Sequence, residues 1–77
     1  MVVYKVILNK NEIIFISNAD REMVSYLFKI YKSEALSGNI NFYFKRTGYT
    51  FREFKLPETN LRKKIYFKPK INFTIEI

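Results

Sequence analysis

The sequence predicts a small α+β domain of the order ββαββ(β), with one helix packed on a mainly antiparallel sheet. Three observations carry that expectation. Residues 2–17 form two apolar-rich runs that read as strands, separated by the polar group NKNE. A stripe of period 3.6 follows, and the C-terminal half alternates with period two. Strands first, one helix, then strands again point to a helix laid on one face of a sheet.

Val2 to Asn9 reads as the first strand, with Val2, Tyr4, Val6 and Leu8 on one face. The turn is expected at Lys10-Asn11, because Asn tolerates positive φ. Glu12 to Ser17 then returns as the second strand, with Leu8 opposite Ile13 and Val6 opposite Phe15. Ile7, Ile14 and Ile16 make the other face apolar too, so this hairpin calls for cover on both sides. Ser17-Asn18-Ala19-Asp20 opens a helix, with Ser17 or Asn18 as its cap and Asp20 and Glu22 near the positive end of its dipole. Val24, Leu27, Phe28, Tyr31 and Ala35 form the buried stripe, and Gly38 is the stop.

Ile40 to Arg46 alternates again and reads as a third strand, with Ile40, Phe42 and Phe44 inward and Asn41, Tyr43 and Lys45 outward. RTGY is read as a turn around Gly48. Tyr49 to Leu56 is a fourth strand whose period slips, so a β-bulge is expected near Arg52-Glu53. From residue 63 to 77 every odd position except Lys63 is Ile, Phe or Pro, and the even positions are polar or Tyr. This reads as one long strand bent at Pro69, since a three-residue hairpin loop usually wants Gly. The other reading is a hairpin turning at Lys68–Lys70.

One domain spanning 1–77 follows from the length, since 77 residues hold a single core. Domains this small often need a disulfide, a metal or a partner chain. With no Cys and no His, disulfides and the usual zinc ligands are excluded, so no metal or cofactor is expected. A dense aromatic core, self-association into a homodimer, or both remain. The same two absences remove the thiol nucleophile and the commonest general base, and two Gly cannot build a phosphate loop. A non-enzymatic role is expected. No stretch approaches a membrane span, the N-terminus lacks the marks of an export signal, and cysteine-free composition fits a cytoplasmic protein. The glycosylation sequon Asn72-Phe73-Thr74 is read as a chance match.

Charge supplies the functional signal. The net charge is +7, of which residues 1–38 hold +1 and residues 39–77 hold +6. An A/T-rich coding bias would raise Lys overall without placing the surplus in one half. The segment LRKKIYFKPK contains five basic residues and no acidic one. Set in register, Lys64, Tyr66, Lys68 and Lys70 form an outward row spaced about 6.6 Å apart. Arg62 and Lys63 extend it, and Tyr43, Lys45 and Arg46 would lie on the neighbouring strand. Cations neutralise phosphate and outward Tyr rings stack on bases, which is how single-stranded nucleic acid is gripped. Lysines on an edge strand also guard against aggregation, so part of the row has a structural explanation. The expected function is a non-catalytic nucleic-acid-binding module, single-stranded DNA or RNA favoured, using a basic, tyrosine-bearing C-terminal sheet face. The alternative is a protein-binding module or inhibitor, of the kind mobile elements encode as accessory factors, that blocks a larger protein, such as one that handles nucleic acid, through an apolar patch or exposed strand edge, with the Lys row meeting an acidic surface of that partner.

Overall fold

The computed structural model describes residues 1–54 and 69–77 of the chain. It opens with strands β1 (Val2–Leu8) and β2 (Asn11–Ser17), paired antiparallel. The turn is Asn9-Lys10, one residue earlier than expected, with φ of 51° and 69°. A two-residue hairpin of type I′ requires positive φ at both central positions, and Asn fills the first at least cost. The shift moves the register by two residues, to Val6 opposite Ile13 and Tyr4 opposite Phe15. Two is the period of a strand, so every side chain keeps its expected face. Tyr4, Val6, Leu8 and Phe15 are buried on one side, whereas Val3, Ile7, Ile14 and Ile16 are half-buried on the other.

Asp20, not Ser17 or Asn18, caps α1 (Arg21–Ile30): its carboxylate accepts from the Met23 N–H at 2.8 Å. Ser17 is wholly buried, and its hydroxyl accepts from the Ala19 N–H. Asn18 exchanges two hydrogen bonds with Thr50, clasping the entry to α1 against a much later segment. The expected stripe is correct from Val24 to Ala35, but the helix is not continuous. At Tyr31 the backbone departs to φ −113°, ψ 42°, and a short α2 (Lys32–Leu36) follows. The Tyr31 N–H still bonds to Leu27 and its carbonyl to Ala35, so the stripe survives the break.

The main correction is at residues 40–46. They form a helix, α3 (Ile40–Arg46), not a third strand. Ile40, Phe42 and Phe44 satisfy a period of two, but Ile40 and Phe44 also stand four apart, one helical turn. Those two are buried at 2% and 0% exposure, while Phe42 is 58% exposed. The helical period therefore describes the burial and the strand period does not. Gly48, with φ 97°, is not a hairpin turn but the stop of this helix. Its N–H bonds to Lys45 and that of Tyr49 to Phe44, the two bonds of a Schellman motif. Gly38, φ 89°, closes α2 in the same way, with Ala35 and Glu34 as acceptors.

The chain then reaches β3 (Arg52–Glu53), which pairs antiparallel with β2. No extra residue interrupts this register: Ile16 faces Arg52, Phe15 faces Glu53, and the Phe54 N–H bonds to Ile14. The expected bulge is therefore absent at Arg52-Glu53. The slipped period has a simpler cause. Tyr49 belongs to the helix cap, Phe51 enters the core, and Phe54 follows Arg52 to the opposite side of the sheet. β4 (Phe73–Glu76) joins β1 in parallel, so the order is β3-β2-β1-β4 and two of the three pairings are antiparallel. The long strand or hairpin expected over 63–77 lies partly outside the described residues. Asn72, the sequon residue, uses its side chain to accept the Val3 N–H at the start of this pairing.

The helices cover a core built on aromatic rings. Phe15 stacks on Tyr4, Phe28 and Phe51 at 5.5, 5.6 and 4.6 Å between centroids, and meets Phe44 edge-on at 5.6 Å. Each such pair adds about 0.5–1.5 kcal/mol beyond the area it buries. Tyr4 is buried to 1% exposure, and its hydroxyl donates to the Ala19 carbonyl at 2.6 Å. Burial raises the Tyr4 hydroxyl above its ordinary value of 10.0, and the Asp20 carboxylate nearby adds to this against a smaller opposing effect of Arg21.

Two outcomes test this fold. A Cβ at Gly48 would meet nothing within 4 Å, so only the backbone resists it. Gly48→Ala should lower stability in urea by about 1–2 kcal/mol, with Gly48→Asn costing less, because Asn enters the left-handed region more readily. A strand turn without positive φ at this position would show no such order. For Tyr4, the unfolded chain releases its proton near pH 10 and the folded chain higher. Its contribution to stability is complete below that pH and is lost as pH rises through the folded value. Tyr4→Phe should cost about 1 kcal/mol at pH 7, through the lost hydrogen bond. It should also lose less stability than the native chain between pH 9 and 11.

Candidate nucleic-acid interface

α3 sorts its side chains sharply. Ile40 and Phe44 enter the core, Tyr43 takes the flank, and Phe42, Lys45 and Arg46 face outward, three and four residues apart. Lys45 and Arg46 are both exposed. Tyr43 is half-buried because its ring stacks on Tyr31, 4.1 Å between centroids and 23° between planes. Phe42 stands edge-on to Tyr43 at 5.2 Å and 87°. Three rings thus run from the joint between α1 and α2 to the outer side of α3, and the exposed Lys32 follows directly on Tyr31.

The local sequence explains this geometry. At the break the half-buried Tyr31 packs against the core and also stacks on Tyr43 of α3. The Schellman stop at Gly48 ends α3 just after its two cations, where they also meet the negative end of the helix dipole. That placement contributes about 0.3–1 kcal/mol each and accounts for part of their presence. It does not account for the exposure of Phe42.

The electrostatics favour an anion. Among the described residues the ion pair present is Lys5 with Glu12 at 3.7 Å, across the first hairpin. Lys32, Lys45 and Arg46 have no carboxylate partner among the described residues. The outer surface of the helices also exposes Tyr26 and Ile30, one turn apart on α1, and Leu36 on α2.

Of the residues expected to bind nucleic acid, the structure brings together Tyr43, Lys45 and Arg46. It does so on a helix, so the expected sheet face does not contain them. Tyr43 also differs in role: one face of its ring is taken by Tyr31. Lys70 is exposed just before β4, at the sheet edge opposite β3, and does not join this group. Arg62, Lys63, Lys64, Tyr66 and Lys68 lie outside the described residues. Sequence reasoning missed Phe42, which a strand would have buried, and Lys32 and Tyr31, which a straight helix would have kept apart from α3. The signal that could have found Phe42 was Gly48, read as a second helix stop.

Comparison with known proteins returns no match, whether with protein-family models, curated proteins or solved structures. Among the described residues no helix is long and apolar enough to cross a membrane.

Proposed function

We propose that this chain is a non-catalytic nucleic-acid-binding module that acts in the cytoplasm and takes single-stranded DNA or RNA on the outer face of α3. The observation that carries this reading is Phe42, 58% exposed beside two cations that have no carboxylate partner among the described residues. A ring held rigidly at the surface loses little on binding, and its free face offers a stacking platform to any base. The Tyr31–Tyr43 stack supports it from behind. Lys45 and Arg46, with Lys32 beside Tyr31, meet the phosphates on either side. The net charge of +7 draws a polyanion to the chain before any contact forms.

A specific observation favours a second reading. Tyr26, Ile30 and Leu36 are 55%, 49% and 41% exposed, and the two aliphatic ones, Ile30 and Leu36, do not stack on bases. An apolar helical surface with a cationic surround suits a protein partner whose own surface is acidic. On this reading the chain blocks a larger protein.

The two readings separate by titration of a labelled single-stranded 12-mer across salt. Contacts from Lys32, Lys45 and Arg46 give a log–log slope of about −2, from about −0.7 per phosphate. Phe42→Leu keeps the apolar volume but removes the ring, and should weaken binding by about 1–3 kcal/mol. No binding at low salt, or an unchanged affinity for Phe42→Leu, would remove the first reading. Ile30→Lys tests the second. It should leave the 12-mer affinity intact while abolishing recovery of a stoichiometric protein partner from nuclease-treated extract. Recovery of the same partner by both forms would count against it.

A further inference from the structure

A depression of about 610 Å³ opens beside the end of α3, within the range of about 300–1,000 Å³ typical of small-ligand sites. Its apolar lining includes Ile16 and Tyr49, and its cations are Lys45 and Arg52. Lys45 is the link to the surface described above. It lies three residues from Phe42 on α3, within one helical turn of about 5.4 Å, and also in the wall of the depression. Arg52 comes from β3, where it pairs with Ile16 and is exposed. Among the described residues no carboxylate lines the depression. The arrangement therefore places an apolar lining, with the half-buried Tyr49 ring and the buried Phe51, between two cations contributed by different elements.

We infer that this depression is a second nucleotide subsite, continuous with the Phe42 platform. The base next along the strand enters it against Tyr49, and the phosphate between the two bases lies at Lys45. Arg52 meets the following phosphate on the far rim. The inference rests on the nucleic-acid reading of α3 and deepens it. The ligand is a single strand of at least two nucleotides, bent over the C-terminal end of α3, rather than one stacked base held by diffuse charge. A duplex keeps its bases paired and stacked, so it cannot supply one to the cavity. Duplex DNA is expected to bind more weakly than a single strand of the same length.

The test measures affinity and salt slope for labelled dT12 and U12 with the native chain, Arg52→Gln, Tyr49→Leu, Phe42→Leu and Lys10→Gln. Lys10 lies at the distant hairpin turn and controls for loss of one charge anywhere. Arg52→Gln should reduce the log–log slope by about 0.7 and the affinity at 0.1 M salt by about 5-fold. Lys10→Gln should leave the slope unchanged. Tyr49→Leu should weaken binding at least 5-fold, the lower end of what one stacked base contributes. Tyr49 also packs on the core, so Arg52→Gln keeps the test open if Tyr49→Leu unfolds. Binding of dT12 or U12 that Phe42→Leu weakens, but that Arg52→Gln affects no more than Lys10→Gln, would overturn the subsite and leave the α3 reading standing. No binding of either strand by the native chain would overturn both.

Discussion

The packing of Phe15 holds this fold together. Its ring meets Tyr4 from β1, Phe28 from α1, Phe44 from α3 and Phe51 from the approach to β3. Four separate segments therefore share one side chain, which is itself fully buried. A chain of this length has neither a disulfide nor a usual zinc ligand to fall back on. Its whole stability should be about 4–12 kcal/mol, from roughly 0.05–0.15 kcal/mol per residue. Truncating a core Phe typically costs about 3–5 kcal/mol, so this one ring accounts for a large share of the total. Aromatic density does here what cross-links do in other small domains.

The same residue type serves two purposes, and α3 divides them. Phe44 completes the core and Phe42, two positions earlier, is turned to solvent. On a strand, both rings would lie on one face. On a helix, a two-residue step rotates the side chain by about 200°, so one ring anchors the element and the other is offered outward. The cations follow the same logic, because Lys45 and Arg46 fall within a turn of Phe42. The proposed interface is thus a by-product of how the helix is fixed to Phe15. If α3 rolled about its axis, core and surface would exchange rings.

Much of this was legible in the residues. The first hairpin, the helical stripe and the α+β class follow from periodicity, and the hairpin survived a misplaced turn because a two-residue slip preserves the faces. Ile40–Phe44 was not legible by periodicity, since Ile40 and Phe44 satisfy both periods and aromatic residues favour strands. Burial against Phe15 and Phe28 decided it, a tertiary effect outside any local window. Glycine held the missing information. Gly38 was recognised as a helix stop because a clear stripe preceded it, while Gly48 followed an ambiguous segment and was read as a turn. The site was legible in its cations and not in its geometry. Tyr43, Lys45 and Arg46 do come together, but Phe42 depends on the helix, and the charged row at 62–68 lies outside the described residues.

The pairing of β4 with β1 carries a consequence for synthesis. The Asn72 side chain reaches the Val3 N–H across 69 positions of sequence. At about 5–20 residues per second, a ribosome makes β4 roughly 3–14 s after β1. The first hairpin closes in about 1–10 μs, so its β1 edge is without the β4 partner for those seconds. During that wait the nascent hairpin is exposed to whatever else in the cell can offer a strand. The delay is set by sequence separation, and because β4 and β1 run parallel, a circular permutation that shortened it would need a crossover linker of about a dozen residues or more along the sheet.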